Sequence, residues 1–228
     1  MEENKKILIL RLEGPLQSWG ESAKWDMRDS ADFPTKSGIV GLLGCAMGLE
    51  RGDPELEELS KAITLAVRAD RSGRKTVDFQ TIRGTNGRPL RRADGTKDYN
   101  GTIISPRTYL QDACFTAFLE TDAAWAERIV AALRAPRWCI CLGRKNCVPS
   151  RPVLAEESGN YVSLEDALRR CPAAERADAA MEYEIERENA SLSGYLRPDR
   201  RRAADREFAL RRVWRGVIKE AADVSEPN

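Results

Sequence analysis

The apolar pattern opens with Ile7-Leu8-Ile9-Leu10-Arg11-Leu12, a nearly unbroken run that predicts a strand buried on both faces. It ends in Glu13-Gly14-Pro15-Leu16-Gln17-Ser18-Trp19-Gly20. Glycine and proline stop the strand, and an amide and an indole leave the sheet edge together, as groups that serve a ligand do. A loop containing Trp19, Trp25 and Arg28 follows, and Pro34 closes it. A helix then begins near Ser37, with Thr35 or Ser37 as its cap. Gly38, Gly41 and Gly44 fall on one face of this helix, although each interior glycine costs about 1 kcal/mol. Two readings compete. Another backbone packs closely against the bare face, or an anion sits at the helix N-terminus. Packing suits the glycines better; Lys36 and Ser37 fit either reading. Thr35-Lys36-Ser37-Gly38 does not have the order of a Walker loop.

Further along, Pro54–Ser60 reads as a short acidic helix. Ala62–Ala69 and Thr76–Ile82 read as strands. Residues 83–106 form an inserted arm, read as a β-hairpin thumb, in which Gly84, Gly87, Pro89, Gly95 and Gly101 alternate with Arg83, Arg88, Arg91, Arg92 and Lys97. The segment is either a mobile loop or a projecting hairpin arm, since a structureless insert of that length is usually functional or disordered. Tyr109–Glu120 returns as a strand. Thr121 caps an amphipathic helix, Asp122–Arg134, with Trp125, Ile129, Val130 and Leu133 on its apolar side. Arg137–Leu142 is a strand that ends in the basic turn Gly143-Arg144-Lys145-Asn146-Cys147. The order predicts one α+β domain over 1–228, a ferredoxin-like βαββαβ core with the arm between its halves. Residues 150–205 are read as a connecting segment, polar and acidic at first. Met181–Glu188 and Glu207–Lys219 add two C-terminal strands.

Composition narrows the function. The chain has 228 residues, 42% hydrophobic and 32% charged. No window approaches the roughly 18 apolar residues of a membrane span, and the N-terminus lacks a signal-peptide pattern, so a cytoplasmic protein is expected. The six cysteines then read as free thiols. Cys139, Cys141 and Cys147 could be three zinc ligands, but a structural site wants four and the chain has no histidine, so no metal or other cofactor is expected. The missing histidine also excludes a Ser-His-Asp triad and an imidazole base. The net charge of +1 hides segregation: residues 68–112 carry +5, 134–151 carry +5 and 197–219 carry +6. Clustered positive charge points to a polyanion partner, with a solvated arginine-rich surface as the plain alternative.

With these pieces in place, the chain resembles the Cas-five-type (CasD) subunits of type I-E CRISPR Cascade, in the repeat-associated RNA-binding superfamily. The resemblance rests on Leu10–Gly20, Phe33–Gly44, Asp78-Phe79-Gln80-Thr81, Arg107–Thr116 and Leu142–Pro149, with Glu207–Lys219 as a final strand. It implies a non-catalytic subunit that binds the 5′ handle of the CRISPR RNA. The implied partners are the large subunit CasA and the backbone subunit CasC, with target DNA near the complex and no membrane. Cutting of precursor RNA would belong to a separate subunit, CasE. Arg28, Lys36, Arg144 and Lys145 would hold phosphates, with Ser37 and Arg107 in the same RNA-binding set. Trp19 and Tyr109 would either stack on bases or pack in the core. Gln17 or Asn146 would read a base edge. Arg83, Arg88, Arg91 and Arg92 would grip the backbone from the thumb. The alternative is a metal-independent endoribonuclease using Tyr109, Lys36 or Lys145. A purely structural subunit would leave the basic windows unused.

Overall fold

The computed structural model describes residues 5–21, 28–83, 89–91, 95–98, 101–156, 161–187, 194–201 and 208–219. In chain order, β1 (Lys6–Glu13) and β2 (Leu16–Gln17) precede helices α1 (Lys36–Met47) and α2 (Glu55–Ala62). Strands β3 (Thr64–Arg71), β4 (Arg74–Arg83), β5 (Leu90–Arg91), β6 (Lys97–Asp98), β7 (Thr102–Gln111) and β8 (Cys114–Thr121) follow. Then come α3 (Ala123–Arg134), β9 (Leu154–Glu156), α4 (Leu164–Arg170), β10 (Ala180–Glu186), β11 (Tyr195–Arg201) and β12 (Phe208–Lys219). The fold is α+β. Among the described residues, no helix is long and apolar enough to cross a membrane.

The main sheet has the order β11-β12-β10-β3-β8-β1-β9, and its neighbours are antiparallel. Its central strands read as continuous apolar runs because both faces are covered. Leu8, Leu10 and Leu12 of β1 join Leu65, Val67, Phe115 and Leu119 in a core closed by α1, α2 and α3. Ile7 and Ile9 point the other way, onto Phe118, Ala66 and the buried Leu164 and Leu168 of α4. The second sheet, β2-β7-β4, is a long hairpin with a short edge strand, and β5 pairs with β6 inside the arm.

The helix starts near its expected place: Thr35 caps α1, accepting from the Gly38 amide at 3.1 Å. β10 and β12 also lie where two C-terminal strands are expected. Four expectations change. Arg137–Leu142 is not a strand, because its backbone bonds elsewhere: the Arg137 amide to the Ala46 carbonyl and the Leu142 amide to that of Cys147. β9 takes the sheet edge beside β1 instead. Tyr109–Glu120 breaks at Asp112, whose φ of 57° turns the chain from β7 into β8 and so from one sheet to the other. Asp122, not Thr121, caps α3, accepting from the Trp125 amide at 2.8 Å. Within 150–205, α4 is too short for a clear helical period, yet it closes the second core face.

Candidate functional site

The strand exit is a buried lock. Gln17 is fully buried. Its amide nitrogen donates to the Leu12 and Ala113 carbonyls at 2.9 and 2.8 Å, and its oxygen accepts from the Trp19 indole at 3.1 Å. Trp19 is 1% exposed and lies against α1, where a Cβ at Gly38 would come within 2.8 Å of its ring. These two residues therefore brace the end of β1 and the first turn of α1 from within the core. Gly38 and Gly44 are bare for side chains, Trp19 and Leu56, rather than for another backbone.

The basic turn behaves in the same way at two of its three polar positions. A Cβ at Gly143 would overlap the Ser18 carbonyl, and the Ser18 amide bonds the Leu142 carbonyl at 3.1 Å, so the turn is pressed against the strand exit. Arg144 turns inward. It donates to the Thr108, Arg28 and Asp29 carbonyls at 2.9–3.1 Å and lies 4.7 Å over the Tyr109 ring. Residue 28 extends the edge of β7 through a bridge to Arg107, and Arg144 clamps that junction. Tyr109 is 1% exposed, and its hydroxyl accepts from the Asn146 amide at 3.0 Å. Tyr109 thus packs in the core, and Arg144 holds backbone rather than phosphate. Asn146 stays exposed but is tied to Tyr109. Of the turn's three polar side chains, Lys145 alone points outward with no hydrogen bond or ion pair to the described residues.

Lys36 is also internal. Its ammonium donates to both Glu186 oxygens at 2.8–2.9 Å and to the Ile63 carbonyl at 2.7 Å. Burial lowers its pKa, with Glu186 opposing. A helix N-terminus favours an anion, and here the chain supplies its own: the Asp199 carboxylate of β11 accepts from the Lys36 amide at 2.8 Å. Arg211 holds Asp199 through two bonds of 2.5 and 2.8 Å, and Arg197 pairs with Glu184 and Glu21. Part of the C-terminal basic window is therefore internal glue between β11, β12, β10 and α1. Arg68, buried against Asp70 and the Leu168, Cys171 and Pro172 carbonyls, does the same for the arm-side window.

One open feature is a groove beside α1. One part, of about 660 Å³, is lined by Ser37, Gly38, Gly41, Leu42, Cys45, Arg51, Trp138, Cys139, Cys141, Gly143 and Lys145. A second part, of about 440 Å³, shares Ser37, Gly38, Arg51 and Gly143 and continues past Arg28 to Phe208. Of the expected site residues, the groove gathers Arg28, Ser37 and Lys145 and touches Trp19 and Arg144 only at its wall. It adds Arg51, Trp138 and Phe208, which the sequence reading missed. Trp138 is 42% and Phe208 50% exposed, so two flat rings and exposed cations border one open channel. Burial pushes the Cys45 and Cys141 thiols of this groove up. Among the described residues, no three His, Cys, Asp or Glu side chains gather as a metal site.

The remaining expected residues lie elsewhere. Arg107 stands opposite Asp78 in the β4–β7 hairpin, and its buried Nε has no hydrogen-bond partner among the described residues. Arg83 is exposed at the far end of β4. Arg91 lies in β5, where the backbone alone is described; Arg88, Arg92 and Trp25 lie outside the described residues.

Fold and site define an α+β protein that offers an open, cation-bordered groove beside a projecting hairpin. Residues 7–219 match the model of the family described as CRISPR-associated protein (Cas_Cas5), and the chain belongs to that family. It is 32% identical over 241 residues to the CRISPR system Cascade subunit CasD of Escherichia coli (strain K12), covering 97% of this chain and 100% of that protein. Its fold is similar to a chain of a CRISPR RNA-guided surveillance complex, with a TM-score of 0.73 and 30% identity over 93% of this chain and 90% of that one. A crystal structure of a Cas protein gives a TM-score of 0.71 and 32% identity over 93% and 95%.

Proposed function

We propose that this chain is a non-catalytic, RNA-binding subunit of a Cascade-type CRISPR complex and holds the 5′ handle of the CRISPR RNA. The observation that carries this reading is the groove beside α1, which pairs exposed Arg51 and Lys145 with the open rings of Trp138 and Phe208. Single-stranded RNA is held by cations at its phosphates and by flat side chains under its splayed bases. Ser37 and Arg28 add polar reach along the same channel. The residues weighed for cleavage do not meet. Lys36 and Tyr109 are buried and bonded to Glu186 and Asn146, while Lys145 stands on the groove wall. That separation supports binding without cutting.

The thumb has a second role in this reading. Val77 and Phe79 of β4 and Ile104 of β7 are 62%, 64% and 50% exposed. Strand register puts them on one face, since Thr108, Pro106 and Thr81 stand opposite them. An exposed apolar stripe marks a protein contact, here with a neighbouring backbone subunit, while Arg83 and the other arm arginines grip the RNA.

The test is to incubate the purified full-length chain with labelled repeat RNA from its own CRISPR locus. Intact RNA, bound with an affinity that falls steeply as salt rises, is the expected result. Site-specific cleavage in the absence of metal would establish the endoribonuclease reading instead.

A further inference from the structure

Gly41 is the one glycine of α1 that the chain itself does not explain. A Cβ at Gly38 would meet Trp19, and one at Gly44 would meet Leu56. Gly48, at φ 78°, is the left-handed residue that ends the helix. At Gly41 a Cβ would find nothing within 4 Å. The residue nevertheless sits mid-helix, where alanine is the better helix former. It lies in the wall of the 660 Å³ part of the groove, with Leu42 and Cys45 beside it and Trp138, Cys139 and Cys141 lining the same space. That volume falls within the range of about 300–1,000 Å³ typical of small-ligand sites. Arg51 and Lys145 also line it, so a polyanion entering the groove finds its charge met there.

We propose that this part of the groove is the seat of one unstacked nucleobase, with its face against the bare helix at Gly41 and the Trp138 indole as its stacking partner. The proposal rests on the RNA-binding reading above and adds the place where one particular base is received. A flat base needs close approach to backbone on one side and an aromatic face within reach, and the missing methyl of Gly41 supplies the first. Cys45 and Cys141 complete the lining with soft side chains that make no base-specific hydrogen-bond pattern, so the seat selects for an extruded base more than for its identity.

The experiment is a scan of single abasic substitutions through the repeat RNA, titrated against the full-length wild-type chain and against Gly41→Ala, Gly41→Leu and Trp138→Ala. In wild type, one position is expected to lose about 5- to 150-fold in affinity when its base is removed, the worth of one stacked base. Gly41→Leu should bind intact RNA more weakly by a comparable factor and become indifferent to the base at that position. Trp138→Ala should do the same. Gly41→Ala should unfold at an equal or higher urea concentration than wild type, yet bind no more tightly. If Gly41→Leu does not fold, Trp138→Ala decides alone. A wild-type chain that binds no RNA overturns the RNA reading itself. A wild-type chain that binds, with the same abasic profile in the variants, overturns the base seat and leaves RNA binding standing.

Discussion

The strand exit and the groove lie side by side, sharing Trp19, Gly38 and Gly143, yet they are built on opposite principles. At the exit the polar side chains bond the chain itself: the Gln17 amide two carbonyls and an indole, Arg144 three carbonyls, Asn146 the Tyr109 hydroxyl. In the groove two flat and two charged groups are left over. Trp138 and Phe208 are half open, and Arg51 and Lys145 have no side-chain partner among the described residues. The difference teaches that the most distinctive residues of a sequence can be the frame of a site and not its contact surface. A saturated frame fixes geometry, since removing any partner strands another buried group. A contact surface must keep its groups unpaired until a ligand arrives.

The largest effect separates the two tryptophans. Trp19→Ala removes a fully buried indole and should cost about 3–5 kcal/mol of stability, read as a lower urea midpoint. Trp138→Ala should change stability by no more than about 0.5 kcal/mol while weakening RNA binding. Equal stability losses in both variants would end the division into frame and surface. Next comes the polar pair. Gln17→Leu leaves the Leu12 and Ala113 carbonyls and the Trp19 indole unmet and should cost about 1–3 kcal/mol. The double change of Arg51 and Lys145 to Ala should leave the urea midpoint near wild type. It should flatten the salt dependence of RNA binding by about 1.4 in log–log slope, at about 0.7 per phosphate contact on a single strand. An unchanged slope would remove both cations from the contact surface.

The comparison also explains what the sequence made legible. The two-sided burial of β1, the Thr35 cap of α1 and the amphipathic α3 follow from local pattern, because periodicity and capping are short-range physics. The groove does not. Arg51 follows α1, Trp138 follows α3, and Phe208 opens β12; no spacing links them, and tertiary packing alone brings them to one channel. Inward and outward cations cannot be told apart by counting either. Arg197 and Arg211 lie in a basic window, yet Glu184 and Asp199 meet them inside the protein. The turn at 143–146 shows the limit most sharply. Its Arg144-Lys145-Asn146 reads as three ligand-facing groups, but two bond Tyr109 or the backbone beside it, and Lys145 alone turns out. An arginine above a buried tyrosine has no signature in a linear motif.

The smallest effect uses the cysteines as reporters of the same contrast. Thiolates, not thiols, react with alkylating reagents, and only where the reagent can reach. Cys114 is fully buried in β8, and burial first, then the nearby Glu13 charge, push its thiol up to about 11. Cys147 is buried and shifted upward as well, chiefly by burial. Cys139 is the exposed member, and it lines the groove. At pH 8 a limiting dose of iodoacetamide should therefore label Cys139 first, by peptide mass spectrometry, while Cys114 and Cys147 stay unlabelled until the chain is unfolded. Bound repeat RNA should slow Cys139 labelling several-fold and leave Cys171, which is buried under α4 on the far face of the sheet, unaffected. Protection that extends equally to Cys171 would mean general tightening of the fold, and no protection of Cys139 would move the RNA out of the Trp138 end of the groove.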